Sequence, residues 1–159
     1  MTNTIKKTVS MAQFVFQKIP VMKKQTGIWL DFKQAFVIEL NGGAEPIVHK
    51  VLSEVDTSHV KGGSRTGGTP WGPMMNVSES AHLEHRKLQE KQYFEKLIDA
   101  VKDTDELIVF GPGEAKEGFL QTIKEHRRPF RPHLRAVKTE GFLTPNQKIA
   151  FVREFFKLG

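Results

Sequence analysis

The spacing of apolar residues changes period several times along this chain, and each change marks an element. "TGIWLDF", "QAFVIEL" and "EPIVHKVLSEVD" are three runs rich in β-branched and aromatic residues, which predict strands. Asn41, Gly42 and Gly43 separate the second from the third and supply the positive φ of a tight hairpin, so the three form an antiparallel meander. In "NVSESAHLEHRKLQEKQYFEKLIDAVKD" the residues Phe94, Leu97, Ile98 and Val101 recur at helical spacing. Asn76 and Glu79 are expected as N-cap and N3 of that helix, whose first half is mostly polar.

The short continuous run "ELIVF" predicts a strand buried on both faces, and it enters "GPGEAK" directly. Phe119, Leu120 and Ile123 give a second helix, stopped by Pro129 after the basic turn His126, Arg127, Arg128. "HLRAVKTE" predicts a fifth strand. Thr144 as N-cap, Pro145 at N1 and Gln147 at N3 open the last helix, with Ile149, Val152 and Phe156 on one face. A meander followed by helix, strand, helix, strand, helix is the order of an α/β, ribonuclease H-like domain with a mixed five-stranded sheet. It is expected over residues 26–159.

Composition narrows the class. With 38% apolar and 26% charged residues the chain is an ordinary globular one, and no apolar run is long enough to span a bilayer. Zero cysteines exclude disulfides, thiol catalysis and thiolate metal sites, and agree with the cytoplasm as the expected location. The net charge of +6 is unevenly placed. Residues 1–25 carry Lys6, Lys7, Lys18, Lys23 and Lys24 with no acid and are expected to form a basic arm rather than a secretory signal. In the remainder 19 basic residues face 18 acidic ones, so its basic character must lie in patches. One patch is visible in Arg127, Arg128, Arg131, Arg135 and Lys138, a cluster that attracts phosphate backbones or serves as a solvated rim.

Candidate chemistry follows from where special residues fall. The stretch "EVDTSHVKGGSRTGGTPWGPMMNVSES" is longer than loop closure requires. Within it Lys61, Gly62, Gly63, Arg65 and Trp71 combine flexibility, cations and a large aromatic, a mixture suited to a nucleic-acid groove. The competing reading is a connector with Trp71 anchored on the domain. His82 and His85 stand one helical turn apart beside Arg86; as metal ligands they lack a clear third partner, and contact with phosphate or solvent fits their polar helix better. A two-metal nuclease would use Asp31 and Glu84, yet the fourth strand ends in Phe110-Gly111-Pro112-Gly113 where another acid is needed. Asp31 otherwise turns the first strand into Lys33. "GPGEAK" reads as a tight strand-to-helix turn, with Lys116 facing outward to a partner.

The stretches "GIWLDFKQAFVIEL" and "ELIVFGPGEAKEGFL" resemble the middle domain of the release-factor and Pelota superfamily, in particular its small bacterial release-factor-like members. The resemblance extends over about residues 26–158. In that superfamily's release factors a Gly-Gly-Gln tip lies where this chain has its glycine loop. Here Gly62-Gly63 is followed by Ser64 and Gly67-Gly68 by Thr69, so hydrolysis of peptidyl-tRNA is not implied. The resemblance implies a non-catalytic protein of translation that binds the ribosome or structured RNA, without a cofactor. The expected contacts are the glycine loop, His82, His85, Arg86, Lys116, Arg127, Arg128 and Arg131. The alternatives are a divalent-metal hydrolase or nuclease built on Asp31, Glu84 and the histidine pair, and a module that meets an acidic protein.

Overall fold

The computed structural model describes residues 22–57 and 74–158. Its five strands are β1 (Gln25–Leu30), β2 (Gln34–Leu40), β3 (Ile47–Leu52), β4 (Glu106–Gly111) and β5 (His133–Thr139). Three described helices, α1 (Met74–Val101), α2 (Ala115–Glu125) and α3 (Pro145–Leu158), complete the domain. Sheet order is β3-β2-β1-β4-β5; β1 pairs antiparallel with β2 and parallel with β4, and β4 runs parallel to β5. This is the ribonuclease H-like arrangement that the order of elements predicts. The expected N-terminal arm lies outside the described residues apart from its last four.

Two apolar layers hold the sheet. On one face Ile28, Leu30, Val37, Leu107 and Val109 meet Phe94, Leu97, Ile98 and Val101 of α1 and Phe119 of α2. On the other, Trp29, Ile38 and Phe110 meet Val152 of α3, with Phe36, Ile149, Phe151 and Phe156 packed around them. Alternation along each strand sends neighbouring residues to opposite layers, which is why β4, sandwiched between helices, is buried at all six positions. Full burial of each large side chain contributes roughly 1.5–3 kcal/mol.

Local signals set the connections. Gly42 (φ 44°) and Gly43 (φ 99°) turn β2 into β3, closed by the Ala44 amide donating to the Asn41 carbonyl at 2.9 Å. Gly111 (φ 148°) leaves β4 where a side chain would collide with the Leu30 carbonyl, so the turn needs glycine. At the start of α3 the Thr144 hydroxyl accepts the Gln147 amide at 3.2 Å, and Gln147 Oε1 accepts the Thr144 amide at 2.9 Å, the expected capping box. The start of α1 differs from expectation. This helix already includes Met74, so Asn76 lies in its first turn instead of capping it.

Candidate nucleic-acid interface

The carboxyl ends of β1, β3 and β4 lie at one end of the sheet, the place where open α/β sheets usually bind ligands. Lys61, Gly62, Gly63, Arg65 and Trp71 lie outside the described residues. The chain on either side of them is described. Asp56 donates its amide to Gln89 Oε1 at 3.1 Å, which fixes the segment after β3 against α1. A pocket of about 250 Å³ forms there between Asp56 and the first turns of α1, lined by Glu79, His82, His85, Arg86 and Gln89. Three expected contacts, His82, His85 and Arg86, are thus brought together near where the glycine stretch leaves. Arg86 is partly committed, since its Nε lies 2.9 Å from Glu90 Oε1 and its guanidinium stands 5.7 Å over the Phe32 ring.

Asp31 has the turning role. Its Oδ1 accepts the amides of Lys33 at 2.7 Å and Gln34 at 2.8 Å, while its carbonyl accepts the Tyr93 hydroxyl at 3.0 Å. Burial first, and then the Asp31 charge, push the Tyr93 phenol well above its ordinary pKa, so this bond stays formed. Among the described residues no three His, Cys, Asp or Glu side chains gather in a way that could hold a metal ion.

Lys116 departs from expectation. It is only 5% exposed, and its Nζ donates to the Gly113 carbonyl at 2.6 Å. The tight turn leaves that carbonyl without a strand partner, and the lysine folds back to satisfy it instead of facing outward.

The second basic cluster lies at the opposite end of the sheet except for Lys138, which stands opposite Phe110 near the carboxyl end of β5, and the charges of Arg131 and Arg135 are already answered. Glu106, almost buried, accepts from Gln25 Nε2 at 2.8 Å and from Arg135 at 2.6 Å, with Lys23 at 3.5 Å. These partners, the Gln25 hydrogen bond foremost, hold its pKa below the usual glutamate value against the effect of burial. Arg131 is 3.8 Å from Asp105, and Lys24 is 3.1 Å from Glu39. Lys138 stands over the rings of Phe151 and Phe155.

Arg127 and Arg128 are different. Both are exposed, and neither has an ion pair among the described residues. They form one wall of a groove of about 740 Å³ between α1 and α2, which α1 lines with Lys87 and Lys91. These two lysines are also exposed and without an ion pair among the described residues. Of the groove's acids only Glu90 pairs with a permanent cation, Arg86; Glu95 meets His126 at 3.0 Å, and Glu125 accepts from the neutral Gln121 amide. An adjoining groove of about 890 Å³ continues past Arg128 to Phe130 and Arg131. Sequence reasoning passed over Lys87 and Lys91, although their four-residue spacing places them on one helix face.

The expected contacts therefore fall into two groups. His82, His85 and Arg86 flank the glycine stretch, whereas Arg127, Arg128 and Arg131 lie beside the far half of α1. The helix from His82 to Glu95, which meets His126, spans about 20 Å. Lys87 and Lys91 lie between the groups along the axis of α1 but on the helix face that meets α2, opposite the face of His82 and His85, so the two groups form separate surfaces.

No family model and no curated protein matches this chain. Among solved structures, an archaeal translation termination factor is similar over 85% of this chain, at 18% identity and a TM-score of 0.40. The similar region covers 40% of that protein, so this chain spans less than half of its length. Among the described residues no helix is long and apolar enough to cross a membrane.

Proposed function

We propose that this protein binds structured RNA without catalysing a reaction, with ribosomal RNA as its target, and that it acts in translation in the cytoplasm. The observation behind this reading is the groove between α1 and α2, where Lys87, Lys91, Arg127 and Arg128 lack ion-pair partners among the described residues and outnumber the groove's acids Glu90, Glu95 and Glu125, the first of which pairs with Arg86. Cations in that state can exchange their counterions for phosphates, the source of most sequence-independent affinity for nucleic acid. Exposed cations contributed by two neighbouring helices along an open groove suit a polymer. The ribosome is chosen because "GIWLDFKQAFVIEL" and "ELIVFGPGEAKEGFL" resemble the release-factor and Pelota middle domain. The lack of a Gly-Gly-Gln tripeptide favours binding over termination chemistry. His82, His85 and Arg86 are assigned a second, separate contact near the start of α1, and Lys61, Arg65 and Trp71 of the glycine stretch belong to the same proposal.

Sedimentation with purified ribosomes across a salt series tests the proposal. Binding should weaken steeply with salt, and replacing Lys87, Lys91, Arg127 and Arg128 by glutamine should abolish it at moderate salt. Failure of the intact protein to bind ribosomes or ribosomal RNA at low salt overturns the reading. Metal-dependent hydrolysis abolished by Asp31→Asn would support the enzyme alternative instead, and capture of an acidic protein with indifference to RNA would support the third.

A further inference from the structure

A second feature lies across the sheet from this groove, in the layer that α3 covers. The strand registers align Lys50, Phe36, Trp29, Phe110 and Lys138 in one row across all five strands. Phe151 of α3 stacks on Phe110, with ring centroids 4.5 Å apart, and closes that side of the row. On the other side α3 contributes a lysine. Lys148 is 4% exposed, and its ammonium lies 3.8 Å from the centroids of both Trp29 and Phe36.

The stem of Lys148 is buried, and its charge is met by ring faces alone. The ammonium makes no hydrogen bond or ion pair among the described residues. Since no sealed side-chain nitrogen among them lacks a partner, its tip must reach the surface. Ring faces attract a cation but accept none of its three N–H bonds in the way an oxygen does. Burial lowers the pKa of Lys148, the Asp31 carboxylate opposes that change, and Lys50 adds to it. Asp31 stands beyond ion-pair distance, and its Oδ1 is already held by two backbone amides. Lys50 is exposed 5.7 Å over the Phe36 ring, so two cations face the opening against one distant acid.

Beside this opening stands the most exposed large apolar side chain of the described residues. Phe142 is 82% exposed, and its ring centroid lies 6.2 Å from that of Trp29. The backbone beneath it is anchored, because Trp29 Nε1 donates to the Gly141 carbonyl at 3.3 Å. Trp29 thus has the Phe142 ring and the Lys148 ammonium as neighbours, and a ligand the size of one nucleotide can meet both. An exposed ring on an anchored backbone beside cations that lack a carboxylate partner is the combination by which proteins stack a base and hold its phosphate.

We infer that Phe142, Lys148 and Lys50 form a nucleotide-binding site, in which the base stacks on Phe142 and the phosphate lies against the two lysines. The ligand is a nucleoside phosphate, either free or as one unit of single-stranded RNA. The site does not depend on the α1 groove. It faces the other layer of the sheet and uses none of the groove's residues.

The test uses the full chain carrying Trp71→Phe, in which Trp29 is the remaining tryptophan of two and reports on the site. It is titrated with adenosine 5′-monophosphate, a short oligoadenylate, inorganic phosphate and a glutamate-rich peptide while Trp29 fluorescence is followed. The inference expects a saturable change with the mononucleotide and a weaker response to phosphate. Phe142→Ala should weaken the mononucleotide about tenfold and leave phosphate unchanged, and Lys50→Gln should weaken both. Both substitutions alter exposed side chains, so the fold is retained. Tighter binding of the oligoadenylate identifies RNA as the source, and equal binding identifies the free nucleotide; either supports the site. No response of Trp29 to millimolar mononucleotide or oligoadenylate overturns it. So does equal response to nucleotide and phosphate, or an equal response to the acidic peptide. Ribosome sedimentation reads the α1 groove separately, so failure of one proposal leaves the other standing.

Discussion

Cations at the amino end of the central strands and cations along α1 look alike in composition but differ in what surrounds them. At the amino end Lys23, Lys24, Arg131 and Arg135 each lie within ion-pair reach of Glu106, Glu39 or Asp105. In the α1 groove Lys87, Lys91, Arg127 and Arg128 have no such partner among the described residues. In the first group Arg135 on nearly buried Glu106 supports the fold, the exposed pairs add little, and the field of the group is largely cancelled within a few ångströms. The second presents a net field to solvent and retains counterions to release. A basic cluster becomes a binding surface only where the fold leaves it unanswered, so pairing matters more than the count of charges.

The contrast can be broken from either side. The largest effect is expected in the groove: Lys87→Gln, Lys91→Gln, Arg127→Gln and Arg128→Gln combined should weaken ribosomal RNA binding at least about 100-fold at low salt, with the melting temperature nearly unchanged. Binding isotherms and thermal melts on the same samples check this. At the amino end the effect should be on stability. Glu106→Gln leaves Arg135 and Lys23 without their acid and should cost about 2–3 kcal/mol in chemical denaturation, since Arg135 is partly solvated and recovers some hydration.

The same carboxylate predicts a pH dependence. Because the folded state holds Glu106 below its ordinary pKa, its contribution is complete above the usual glutamate range and is lost as pH falls through the depressed value. Wild-type protein should lose stability on acidification more steeply than Glu106→Gln, as denaturation at successive pH values will show. Lys116→Met, which removes the bond to Gly113, should cost about 1 kcal/mol and leave RNA affinity within twofold. The smallest effect belongs to a pair removed whole. Glu54→Gln with Lys96→Gln deletes an exposed ion pair at the groove margin without changing net charge, and RNA affinity should move by less than about twofold.

Much of the fold was legible because each element declares itself locally. Val152 and Phe156 show the buried stripe of α3, "ELIVF" shows a strand covered on both faces, and Thr144 with Gln147 shows a helix start. The candidate interface was less legible because pairing joins residues far apart in the chain. Nothing near Arg135 announces Glu106, and nothing in "GPGEAK" shows that Lys116 will turn back onto Gly113. Lys148 did leave a trace: it stands four residues before Val152 and eight before Phe156, on the buried stripe itself. A lysine in such a stripe must place its charge somewhere particular, here between Trp29 and Phe36.

The salt dependence of ribosomal RNA binding, measured for the wild type and the four-glutamine groove variant, tests the account most directly. Each phosphate deprived of its cation should reduce the slope of log affinity against log salt by about 0.7–0.9, so the variant's slope should be shallower by about 3. An unchanged slope would mean that Lys87, Lys91, Arg127 and Arg128 touch no phosphate, and would contradict the account.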